Sequence, residues 1–167
     1  MAKMITKIGQ FTGAARSARS ASVSQMNLEA PFSSSSVSTS SEDHPTLVLD
    51  KGDPEAGKHA ELVERAQDKG HPSTLTKGEG RKATRRNRRD SQRAHRAEHG
   101  GPKPGNSLDE YPYASTEEGG EGAHVEEVPI ADNQAGGKAY SKFLQDEKIQ
   151  PGDKFHVKVV DSSEKSE

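Results

Sequence analysis

Cysteine is absent from the 167 residues, which excludes disulfides and thiolate metal sites. No apolar run approaches the length of a membrane span, and the first residues lack the apolar core of about 7–15 residues found in a secretory signal peptide. Hydrophobic residues make up only 28% of the chain and aromatics 4%, against 30% charged. A chain so poor in apolar side chains cannot offset the entropy of ordering all of itself, so a small core with a disordered flank is expected. A surplus of positive charge is missing too, the formal net charge being −2. Taken alone, that argues against a surface built to grip polyanions.

The flank falls at the N-terminus. Ser33 to Ser41 is serine throughout except for Val37 and Thr39, and nothing there can build a core. Met1 to Leu28 lacks acids and contains Arg16, Arg19 and many Ser and Ala, a composition shared by transit peptides and plain disordered tails. Residues 1–42 therefore read as a disordered Ser-rich segment or linker, 43–162 as the folded domain, and 163–167 as a solvated tail.

Within the domain, Thr46-Leu47-Val48-Leu49 is a short β-branched and apolar run between Pro45 and Gly52-Asp53-Pro54, the mark of a strand. From Pro54 to Gly70, Ala56, Ala60 and Val63 fall at helical spacing. His71-Pro72 forces an extended link. A second helix is expected from Arg81 to the Gly100-Gly101 stop, very polar, with Ala83 and Ala94 as its thin contact stripe. Tyr111, Tyr113 and Ser115 alternate in strand fashion, residues 117–122 are a Gly-rich turn, and 123–130 form the second arm of a hairpin. Asp132-Asn133 caps a helix carrying Ala139, Tyr140, Phe143 and Leu144, and Phe155 to Val160 is a last strand. The fold class is α+β: a small antiparallel sheet with flanking helices and a central ββα unit, in the order strand, helix, helix, hairpin, helix, strand.

The near-neutral total hides a segregation of charge. Lys77 to Lys103 holds ten Lys or Arg against Glu79, Asp90 and Glu98, whereas Pro104 to Gly137 holds no Lys or Arg against eight acids. A basic segment followed by an acidic one suits a protein that grips phosphates with one part and a divalent cation with another, although alternating solvated faces would look the same. His71, His95, His99, His124 and His156 show no metal-ligand spacing and read as solvated or structural.

The acidic section carries a specific pattern: Asp109-Glu110-Tyr111-Pro112, then Glu118-Gly119-Gly120-Glu121-Gly122-Ala123-His124-Val125, then Asp132-Asn133 with Gly136-Gly137. In order and spacing it resembles the NucA/NucB-type deoxyribonucleases, with weaker likeness upstream through Gly70-His71-Pro72 and Lys103-Pro104-Gly105. The resemblance implies a largely sequence-nonspecific DNA endonuclease using one divalent ion, Mg²⁺ or Mn²⁺, held by a ββα unit. It implies Asp109 as general base with Glu110 beside it, and Asn133 as a metal ligand with Asp132 close by. A second acidic ligand is implied about ten residues into the helix. No acid stands at or beside Phe143, and Glu147, farther along the helix, is taken as the candidate carboxylate. The cysteines many members carry near this motif are replaced by Leu108 and Ser115.

In this reading Arg85, Arg86, Arg88, Arg89, Arg93 and Arg96 clamp the DNA backbone. The partner is DNA, with an immunity or inhibitor protein as a further partner, no membrane, and a monomeric state. The protein is secreted by a route not evident in the sequence, or stays cytoplasmic beside an inhibitor. The alternative is a non-catalytic nucleic-acid-binding protein that uses the Arg-rich helix alone.

Overall fold

The computed structural model describes residues 43–162, so the readings made for the Ser-rich segment and the C-terminal tail lie outside the described residues. Strand β1 (Thr46–Asp50) turns Leu47 and Leu49 inward and leaves Val48 exposed, the period-2 pattern of a half-covered strand. Its partner is β5 (Lys154–Val160), which buries Phe155 and Val157. The two run parallel, Leu47 beside Val157 and Leu49 beside Val159, so the first and last strands of the domain are hydrogen-bonded neighbours. On the other side of β5 lies β2 (Thr74–Thr76), antiparallel, which completes a three-stranded mixed sheet. Sequence reading missed β2, because three residues with one buried side chain, Leu75, carry too little periodicity to register.

Helix α1 (Gly57–Asp68) buries His59, Ala60, Leu62, Val63 and Ala66. Asp53 accepts the backbone N–H groups of Glu55 and Ala56 just before it, and Gly57 lets its first turn lie against the Lys51 carbonyl, where a Cβ would come within 2.6 Å. Helix α2 (Gly80–His99) buries only Ser91. Its contact stripe is not Ala83 and Ala94, the latter being exposed, but the polar row Asn87, Arg88, Ser91 and Gln92. A helix with almost no apolar surface is thus held by hydrogen bonds, Asn87 donating to the Ala114 and Thr116 carbonyls.

The second sheet is the antiparallel pair β3 (Asn106–Tyr111) and β4 (His124–Pro129). The hairpin arm lies earlier in the chain than the alternation of Tyr111, Tyr113 and Ser115 suggests. Pro112 has no N–H to give to a ladder, and the chain instead turns, Thr116 donating from its backbone and its hydroxyl to the Tyr113 carbonyl. The loop returns to β2 through Glu117 N–H to the Thr76 carbonyl. Helix α3 (Ile130–Asp146) follows β4 without a linker. Pro129 is its N-cap and makes no side-chain cap, so Asp132 and Asn133 sit inside the first turn and do not cap it. The observed order is β1-α1-β2-α2-β3-β4-α3-β5, an α+β fold with three helices and two small sheets among the described residues.

One apolar cluster holds the two sheets and helices α1 and α3 together: Leu47, Leu49, Leu62, Val63, Leu75, Tyr111, Tyr113, Tyr140, Phe155 and Val157 are among its members. Each such side chain contributes roughly 1.5–3 kcal/mol when fully buried.

Candidate active site

Successive residues of a strand face opposite ways, so β3 cannot direct Asp109 and Glu110 to the same place. Both are buried, since both faces of β3 are covered. Glu110 points to α2, accepting Arg88 Nε at 2.9 Å and Gln92 Nε2 at 2.9 Å. Asp109 points to α1, where its Oδ2 lies 2.6 Å from His59 Nδ1 while its Oδ1 accepts the Glu110 backbone N–H. The structure therefore separates the Asp-Glu pair into a carboxylate beside a buried imidazole and an anchor for the basic helix.

The environment of His59 is tightly specified. Its ring is 2% exposed, stacks on Tyr113 at 5.9 Å and 20°, and meets the Tyr113 hydroxyl at 3.3 Å through Nε2. Burial pushes the Tyr113 phenol well above its usual range, so the hydroxyl keeps its proton. An ionised carboxylate only accepts, so the short contact to Asp109 Oδ2 is made by Nδ1–H, and Nε2 is left to the Tyr113 hydroxyl. On the remaining side α3 lies against the ring: a Cβ on Gly136 would fall 2.3 Å from the His59 Cγ.

Asp109 is paired across the sheet with Glu126, and directly opposed carboxylates repel. Helix α1 gives each its own partner, His59 to Asp109 and Arg65 to Glu126 at 2.6 Å. Burial would raise the Glu126 pKa, but hydrogen bonds from Arg65 and His124 outweigh it and the net direction is down.

At the start of α3, Asn133 donates from Nδ2 to the Ser107 hydroxyl at 3.0 Å and the Leu108 carbonyl at 3.1 Å. Asp132 Oδ1 accepts the Lys58 N–H at 3.1 Å, and the same residue lines an open cleft of about 530 Å³ between the starts of α1 and α3. These bonds leave Asn133 Oδ1 and Asp132 Oδ2 without a partner among the described residues. Glu147 is elsewhere: it ends α3, 14 residues beyond Asn133, a rise of roughly 21 Å at 1.5 Å per residue, so the two cannot share an ion. Among the described residues no three His, Cys, Asp or Glu side chains gather as a ready-made cage. The donor chemistry still suits a hard cation, because Mg²⁺ takes oxygen ligands, keeps several waters and needs only one or two protein groups.

The arginines share one helix but not one environment. Arg85, Arg86 and Arg89 line an exposed groove of about 600 Å³ with Lys82, and Arg93 is exposed. Arg88 is tied to Glu110, Arg89 also reaches Asp90, and Arg96 donates to Gln92. Of the histidines singled out in the sequence, His124 pairs with Glu126 at 2.6 Å and His156 with the Thr74 hydroxyl at 2.9 Å, while His95 and His99 lie together on α2. His59 was not among them, although a signal was present. It shares a helix face with Val63 and Ala66, and a polar residue on an otherwise apolar face must find a buried partner.

The structure thus places a buried carboxylate–imidazole pair on one face of β3 and a cationic helix on the other. The family model for Deoxyribonuclease NucA/NucB matches residues 62–158, more than half of the chain, and the protein belongs to that family. It is accordingly a deoxyribonuclease, with DNA as its substrate. No curated protein matches the chain closely enough to add a relative.

Proposed function

We propose that the protein is a metal-assisted endonuclease that cuts DNA with little sequence preference, using Asp109 as general base. The observation that carries this reading is the buried Asp109 carboxylate, fixed by His59 and the Glu110 N–H where α1, β3 and α3 meet. A carboxylate has about four lone-pair positions, and the protein's hydrogen bonds occupy two, which leaves room to take a proton from the attacking water. About 9% of the Asp109 side chain reaches the surface, which gives that water a way in.

Asn133 and Asp132 are the residues that would hold a divalent ion of the Mg²⁺ or Mn²⁺ class, with Glu147 too distant to join them. Such an ion supplies charge neutralisation at the phosphate and at the leaving oxygen. Arg85, Arg86, Arg89 and Arg93 present exposed guanidinium groups to the DNA backbone. Contacts of that kind position a duplex without reading its bases, hence the absence of sequence preference.

The test is a plasmid-nicking assay of the purified chain across a panel of metals with a chelator control. The wild type nicks and linearises plasmid with Mg²⁺ or Mn²⁺, and Asp109→Ala does not. Undiminished cleavage by a folded Asp109→Ala variant sinks the base assignment. A gel shift with intact plasmid under every metal would instead favour a protein that binds DNA without cutting it.

A further inference from the structure

We infer that His59 is a positioning residue for the DNA-cutting reaction: the buried imidazole holds the Asp109 carboxylate at the angle its work requires. The inference rests on the reading of Asp109 as general base. His59 lies outside the residues matched by the family model and outside the sequence pattern that marks the site.

Four contacts from three residues fix the ring. Nδ1 faces Asp109 Oδ2 at 2.6 Å, Nε2 meets the Tyr113 hydroxyl, the Tyr113 ring stacks on one side, and the Cβ-less Gly136 of α3 closes in on the ring. An imidazole held on every side has no rotamer freedom left, so the direction of its Nδ1–H is set by the core and not by solvent. That N–H in turn constrains the carboxylate, whose second oxygen is pinned by the Glu110 backbone. A general base must sit within hydrogen-bond reach of its proton, and a misplacement of about 1 Å can cost on the order of 100-fold in rate. Opposite Asp109 on β4, Glu126 has a different partner, Arg65, so His59 is committed to Asp109.

A buried histidine could instead merely satisfy the core, and kinetics separate the two roles. His59→Leu removes the donor. His59→Asn keeps an amide nitrogen bonded to Cγ, as Nδ1 is, and restores the donor without the ring. With folding checked by thermal melt, His59→Leu is expected to lower kcat on the order of 100-fold with KM unchanged, and His59→Asn to regain most of that loss. A folded His59→Leu with wild-type kcat overturns the positioning role while leaving Asp109 in place. A folded Asp109→Ala with wild-type kcat overturns the base reading itself, so the two failures are distinguishable. If His59→Leu does not fold, a folded His59→Asn decides: kcat close to wild type supports the inference, and kcat as low as that of Asp109→Ala overturns it.

Discussion

Gly136 and Gly137 stand side by side in α3 and do different work. A Cβ on Gly136 would meet the His59 ring at 2.3 and 2.4 Å and the His59 Cβ at 2.9 Å, whereas one on Gly137 meets nothing within 4 Å. Gly136→Ala must therefore push α3 away or expel the imidazole from its bed, at a cost of about 1–3 kcal/mol for overpacking. Gly137→Ala replaces an exposed helical glycine and should stabilise the protein by about 0.5–1 kcal/mol. Urea unfolding of the two variants should move the midpoint in opposite directions, and equal shifts would contradict this packing of α3 on His59. Nicking assays should follow, with Gly136→Ala losing activity beyond its loss of folded protein because the group that orients Asp109 is displaced. In the sequence the two glycines look equivalent, and only the arrival of His59 from α1 distinguishes them.

At the scale of elements, α2 links the candidate site to the proposed DNA contacts. Its inner row is fastened to β3 through Arg88 and Gln92 on Glu110, and its outer row carries Arg85, Arg86, Arg89 and Arg93. Replacing Arg85, Arg86 and Arg89 by Gln should leave the melt almost unchanged, since exposed charges contribute little to folding. DNA affinity should fall by a similar factor for all sequences, and the slope of log K against log salt should shrink by about 0.9 for each phosphate that is no longer neutralised. Binding titrations at several salt concentrations measure both, and an unchanged slope removes α2 from the DNA interface. Glu110→Ala should behave oppositely, costing about 1–3 kcal/mol through the partners it abandons and loosening α2 in hydrogen exchange, with the Asp109–His59 pair left intact. How far this was legible follows from the chemistry. The length of α2 and its charge stood in the sequence, whereas the face separation of Asp109 and Glu110 did not register, because the alternation of Tyr111, Tyr113 and Ser115 places the strand beyond both residues and β3 in fact runs through them. The docking stripe did not, because Asn87, Arg88, Ser91 and Gln92 are as polar as the residues around them. Only partners 16–29 positions away in the chain reveal them as an interface.

At the scale of the whole molecule, the tyrosines and phenylalanines among the described residues form one chain of contacts through the core. Tyr111 of β3 meets Tyr113 edge-on at 5.5 Å, Tyr113 stacks on Tyr140 of α3 at 4.1 Å, and Tyr140 leads to Phe155 of β5 at 5.9 Å. The two sheets are thus tied together through the loop that follows Tyr111. That explains why the alternation of Tyr111 and Tyr113, which imitates a strand, marks a core segment whose backbone is no strand beyond Tyr111. The strands β1 and β5 were legible from their own residues, but their parallel pairing joins the two ends of the domain, which no local pattern can announce. The tyrosines also set the alkaline limit of stability. Burial raises Tyr111 and Tyr140 to about 12 and Tyr113 well above its ordinary value near 10. A phenol with a raised folded pKa contributes stability that is fully present below the unfolded value near 10 and is lost as pH climbs through the folded one. Between those limits the unfolded chain has released protons that the folded chain retains, so each such tyrosine lowers stability by about 1.4 kcal/mol per pH unit. Chemical denaturation followed from pH 9 to pH 12 should show stability level to about pH 10 and falling steeply above it. Tyr140→Phe, which keeps the stack on Tyr113 and loses only the hydroxyl bonded to Ser115, should be less stable than wild type at pH 9 yet fall less steeply above pH 10. Parallel curves for the two proteins would show that Tyr140 ionises as freely in the folded chain as in the unfolded one, and that the aromatic chain does not keep water from its hydroxyl.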